Sequence, residues 1–135
     1  MGRRKDQRGA AAVEFALVLP IFVALVFGII QYGYYFWTAE SANSAAREAA
    51  RRVVVGDCWD NTKMTNYIRS QAPNTTAASK TATNVGVGKN VTVTVTADSD
   101  ILGFFPVPAT VTREYVARME VDTQSAAAND TCATY

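Results

Sequence analysis

The sequence predicts an α+β protein. One long N-terminal helix spans a membrane, and a small extracytoplasmic domain built on an antiparallel sheet follows it. Three observations carry this. From Phe15 to Ala39 there is no charged side chain, a run of about 25 residues where roughly 20 suffice to cross a bilayer. Residues 40–55 then carry alanine and valine at helical spacing, so the same helix continues beyond the membrane. Val91, Val93 and Val95 alternate with Thr92, Thr94 and Thr96, the period-two pattern of a half-buried strand. The expected divisions are a hydrophilic preface at 1–9, the helix at 10–56 (spanning the membrane over about 15–39), and the outer domain at 57–135.

The preface holds Arg3, Arg4, Lys5 and Arg8 against Asp6. Basic flanks stay in the cytoplasm, so the N-terminus is expected inside and the outer domain outside. Beyond Ala39 the signs nearly cancel and no basic patch forms, which argues against a nucleic-acid partner. Histidine is absent from the chain, which removes the commonest general base and metal ligand. No nucleophile elbow, P-loop or dinucleotide fingerprint occurs. Asp98-Ser99-Asp100 with Gly103 lacks the further acids of a calcium loop and reads as a polar turn. No catalytic residue, metal or cofactor is therefore expected, and the chain is not expected to be an enzyme.

Within the helix, Glu14 lies at the inner end of the apolar run. A carboxylate loses its hydration in hydrocarbon, so an acid there needs a partner or an interfacial position to which it can snorkel. Ala12, Ala16, Pro20, Ala24 and Gly28 recur every four residues and form one slowly drifting ridge. Small residues on a ridge let a second helix approach closely, although membrane helices are rich in Ala and Gly without any such role. Pro20 removes one backbone hydrogen bond and is expected to kink the helix. Tyr32, Tyr34, Tyr35, Phe36 and Trp37 form an aromatic girdle at the outer face. Further out, Ala42, Ala45, Ala46, Ala49, Ala50 and Val53 make an apolar stripe that the rest of the chain must cover, and Glu48 pairs with Arg52 one turn on. Gly56 is a natural stop.

The distal elements follow in order. Asp57 to Asn61 is a loop, and Asn61 caps a short helix, Thr62 to Gln71, with Met64, Tyr67 and Ile68 on one face. Pro73 to Asn84 reads as a polar, mobile loop. Val91 to Ala97 is a strand with its valine face towards the helix. Asp98 to Pro108 is a turn region offering Leu102, Phe104 and Phe105 as a contact surface. Ala109 to Val121 is a strand returning antiparallel, within a sheet of two to four strands. Cys58 and Cys132 are expected to pair if this part meets an oxidising compartment. The bridge would close a loop of about 75 residues, worth roughly 4 kcal/mol in the chain-entropy view. Two free thiols is the alternative.

At Gly9-Ala10-Ala11-Ala12-Val13-Glu14-Phe15 the chain resembles the prepilin cleavage motif of type IV pilins. That resemblance implies a membrane peptidase cutting between Gly9 and Ala10 on the cytoplasmic face, with Glu14 as fifth residue of the mature chain. More narrowly, R-G-A-A-A-V-E-F-A-L-V-L-P with F-G-I-I-Q-Y-G and A-A-R-E-A-A-R is similar to the TadE/TadG-type pilin-like proteins of tight-adherence (Flp) pilus systems, over residues 8–52. Type IV pilins usually carry Phe where this chain has Ala10, so N-methylation of Ala10 does not follow. The resemblance implies a pilin-like fold and a structural role as minor pilin or pseudopilin. It also implies three partners: a prepilin peptidase, other pilin or pseudopilin subunits, and the pilus assembly platform in the membrane. The place of work would be the cytoplasmic membrane, then the pilus or cell surface.

Elementary electrostatics gives the motif a rationale. A cut after Gly9 creates an α-ammonium on Ala10, about one helical turn from Glu14. The two charges neutralise each other within a subunit or between neighbours, offsetting much of the cost of leaving water. Ala10 and Glu14 are thus the candidate docking pair, and the ridge from Ala12 to Gly28 the candidate packing surface. Other readings stand beside this one: a membrane-anchored adhesive or binding module, the major subunit of a related pilus, or an exported protein cut near Ala39 to Ala42.

Overall fold

A single helix organises the chain. The structure, a computed structural model, describes residues 4–55, 59–85 and 88–119. Helix α1 (Arg4–Val54) is 51 residues long, which amounts to about 76 Å at 1.5 Å per residue. It begins before the expected Ala10, because Arg4, Lys5, Gln7 and Arg8 are good helix formers and outweigh the roughly 1 kcal/mol that Gly9 costs relative to alanine. Pro20 lies inside α1, which remains one element through it.

Helix α2 (Asn61–Gln71) matches the expected segment, but its cap does not. Asp60, not Asn61, is the N-cap: its Oδ1 accepts from the Lys63 amide at 2.6 Å, while its own backbone is extended. The N-cap oxygen must reach the amide three residues on, and from Asp60 that amide is the unsatisfied one. Met64 and Ile68 are fully buried, and Tyr67 packs edge-on to Trp59 with ring centroids 4.8 Å apart.

The sheet is a three-stranded antiparallel meander in the order β1-β2-β3, with β1 (Thr75–Val85), β2 (Gly88–Asp98) and β3 (Thr110–Arg118). Strand β1 corrects the sequence reading, which made Pro73 to Asn84 a mobile loop. Its side chains are small and polar, so it shows little hydrophobic contrast. It is held instead by a continuous ladder to β2, from Ala77↔Thr96 to Val85↔Gly88. Arg69, at the end of α2, fastens its start: Nε donates to the Thr75 carbonyl at 2.9 Å and Nη2 to that of Thr76 at 3.1 Å. The Val/Thr alternation places β2 as expected, now as the central strand with Val91, Val93, Val95 and Ala97 buried.

The core lies between that valine face and the alanine stripe of α1, where Ala42, Ala45, Ala46, Ala49, Ala50 and Val53 are all buried, and Trp59, Met64 and Ile68 close it from α2's side. Alanine brings the helix backbone close to the sheet, and each buried valine contributes about 1.5–3 kcal/mol. Glu48 pairs with Arg52 at 3.2 Å, as the spacing predicts, and with Arg51 at 3.6 Å. We call α2, the sheet and the half of α1 beneath them the head. Cys58 and Cys132 lie outside the described residues, as does the 120–135 tail.

Candidate assembly helix

The head grips α1 lower than the alanine stripe suggests. Gln31, the one amide side chain between Phe15 and Trp37, is fully buried. Its Nε2 donates to the Ser99 carbonyl at 3.1 Å, and its Oε1 accepts from the amides of Ile101 at 3.3 Å and Leu102 at 3.2 Å. One turn below, Phe105 lies over Gly28, and a Cβ at that position would meet its ring at 3.5 Å. Further up, Asn74 donates from Nδ2 to the Tyr34 hydroxyl and to Oγ1 of Thr38, which is buried. The Asn74 carbonyl in turn accepts from the Asp98 amide at 2.9 Å. The sequence reading did not single out Gln31 or Asn74. A lone amide in an otherwise apolar run was the available signal, because a polar group there needs partners.

Below this grip the rod is bare. Residues 9–30 are exposed throughout, Gly28 alone being half-covered. They include Phe15 at 67%, Ile21 at 71% and Ile29 at 65%. Bare apolar surface on this scale marks a face that meets lipid or protein. Its length is about 32 Å, close to the roughly 30 Å of a bilayer's hydrocarbon core. The helix is thus long and apolar enough to cross a membrane.

The cleavage, docking and packing residues expected from the sequence lie on this segment, while the expected disulfide pair, Cys58 and Cys132, falls outside the described residues. Gly9, Ala10, Ala12, Glu14, Ala16, Pro20 and Ala24 are exposed, and no atom comes within 4 Å of a Cβ placed on Gly9. No described side chain forms an ion pair with Glu14. Gly28 differs from the rest of the ridge, because its own chain's Phe105 already occupies the space above it. The ridge free to meet a second molecule therefore runs from Ala12 to Ala24. Gly9 sits within α1 rather than in an extended segment, at a cost of roughly 1 kcal/mol relative to alanine.

Residues 9–51 match the TadE-like protein family. The TadE-like match begins at Gly9, covers the bare rod and the part of α1 under the head, and includes neither α2 nor any strand. No curated protein and no solved structure matches the chain. The match covers 43 of the 135 residues, all of them in α1. Among the described residues no group of three or more metal-ligating side chains forms.

Proposed function

We propose that this chain is a pilin-like structural subunit, a minor pilin or pseudopilin used in assembling a tight-adherence type IV pilus. A prepilin peptidase removes residues 1–9, and the mature chain starts at Ala10. The rod from Ala10 to Ile30 is stored across the cytoplasmic membrane, with the basic preface inside and the head outside. Other pilin or pseudopilin subunits and the membrane assembly platform are its partners. The new α-ammonium of Ala10 answers the charge of Glu14, on the same subunit or the next, and sets register. The Ala12–Ala24 ridge lets neighbouring rods approach closely.

One observation carries this reading: the TadE-like match starts at Gly9, five residues before Glu14, the one acid in the exposed, membrane-length stretch of residues 9–30. Burial of Ala39 and Ala42 beneath the head disfavours an export-type cut there, since it would sever α1 within the core. The test is the N-terminal residue of protein recovered from membranes and from sheared filaments. Ala10 is expected in both. A chain that still begins with the preface overturns the processing and the docking pair, and leaves a single-pass anchored module. Stoichiometry in purified filaments separates a minor from a major subunit.

A further inference from the structure

We propose that the loop joining β2 to β3, residues 99–109, is a second membrane contact: an apolar lip that enters the outer leaflet beside the helix. This rests on the membrane-spanning reading of α1 and extends it to the head. The loop's composition is the first observation. From Ile101 to Ala109 it reads I-L-G-F-F-P-V-P-A, nine residues without a polar or charged side chain. Ile101 is 53% exposed and Phe104 67%, in a head whose other large apolar side chains are mostly buried. Phe104 and Phe105 pack against each other with centroids 4.6 Å apart, which makes one aromatic wedge.

The second observation is depth. Phe105 lies over Gly28, and Gln31 holds the root of the loop one turn above. If Arg8 marks the inner headgroups, Gly28 lies about 30 Å along the helix, at the outer edge of a hydrocarbon core of roughly 30 Å. If Glu14 marks them, Gly28 is only about 21 Å along, and the wedge sits some 9 Å inside that edge. Either placement puts the loop against acyl chains or at their boundary.

The third observation is that hydrogen bonds tie the loop's root and its turn to protein groups. Ser99 donates from Oγ to the Pro108 carbonyl at 2.7 Å and from its amide to that of Ala109 at 2.9 Å. The Val107 amide reaches the Phe105 carbonyl at 2.8 Å, and Asp100 Oδ1 accepts from Leu102 and Gly103 at 3.1 and 2.8 Å. Gly103 has a φ of 69°, a turn conformation that suits glycine. Two prolines further reduce the number of amides needing water. Asp100, the one charge in the loop, is half-buried, with its carboxylate held by the Leu102 and Gly103 amides. Irregular backbone tolerates a low-dielectric setting only when its polar groups are met in this way.

The experiment places a tryptophan at the wedge. Phe104→Trp in a Trp37→Phe background is reconstituted as the full chain into phosphatidylcholine vesicles with bromines on the acyl chains, near the headgroups in one set and near the chain ends in another. Trp59, buried in the head, supplies the constant background. Phe104→Trp emission is expected to fall to about half with bromines near the headgroups and less with deep ones, as for a group roughly 5–10 Å into the boundary. Phe22→Trp, placed on the bare rod, should show the opposite order. Quenching of Phe22→Trp without any of Phe104→Trp overturns the lip while leaving the spanning helix intact. Loss of both removes the spanning reading and the lip with it. A Phe104→Trp side chain unquenched in vesicles but shielded in filaments assigns the wedge to a neighbouring subunit instead.

Discussion

Replacing Gln31 with leucine tests the lower grip of the head on α1. The side chains are close in volume, so packing changes little, but three hydrogen bonds vanish. The consequences differ among the three partners. Leu102 keeps the Asp100 carboxylate as an acceptor for its amide, whereas the Ile101 amide and the Ser99 carbonyl lose the partner that Gln31 supplied. An orphaned buried polar group costs about 1–3 kcal/mol, and leucine's greater apolarity recovers part of that, so a local loss of about 2–3 kcal/mol is expected. At 1.4 kcal/mol per decade this raises the opening equilibrium roughly 30- to 150-fold. Amide hydrogen exchange of the full chain in detergent micelles, read residue by residue, measures it. Ile101 should accelerate by that factor, Leu102 by distinctly less, and the β2 core amides hardly at all. Unchanged exchange at Ile101 would refute the latch. Equal acceleration across the whole head would show instead that Gln31 supports global stability and not this one attachment.

Other perturbations follow from the same geometry. Glu14→Ala should insert into membranes normally yet be missing from sheared filaments by immunoblot, and normal incorporation would end the docking role. Ile68→Ala removes a fully buried side chain between α2 and the sheet and should cost about 2–5 kcal/mol in a urea titration of the head followed by Trp59 fluorescence. Ala46→Leu forces a larger side chain into the α1–sheet contact, where Ala46 is wholly buried, and should destabilise the head by about 1–3 kcal/mol in the same titration. The equivalent change at Ala16, on the bare rod, should leave that titration unmoved and show its effect only in filament assembly.

Much of the layout was legible along the chain because it is periodic. A charge-free run and an alanine stripe at helical spacing specify α1 whatever surrounds them, and the Val/Thr alternation specifies β2 and the side it buries. Strand β1 was not legible. Thr-Thr-Ala-Ala-Ser-Lys-Thr-Ala-Thr has weak alternation, so nothing local prefers a strand to a loop. Its period does exist, with Ala78 and Lys80 buried and Ser79 and Thr81 exposed, but the contrast between alanine and threonine is too small to read alone. A glycine at 86 in Val-Gly-Val-Gly was the available hint that a hairpin led into β2. The Asp60 cap was missed because Asp60 and Asn61 are both good cap residues, and only the position of the first free amide separates them.

The sequence by itself determined the long helix, its bare apolar half, the place of Glu14 behind Gly9, and the antiparallel pairing of the last two strands. These depend on residues near one another in the chain, where hydrophobic period and charge act directly. Only the tertiary structure decided where along α1 the head takes hold, that Gln31 and Gly28 are its lowest seats, and that the 99–109 loop hangs at that level. Those are meetings between residues some 70 positions apart. They are fixed by the length of β2 and by the demand of one buried amide for partners, neither of which has a period to read.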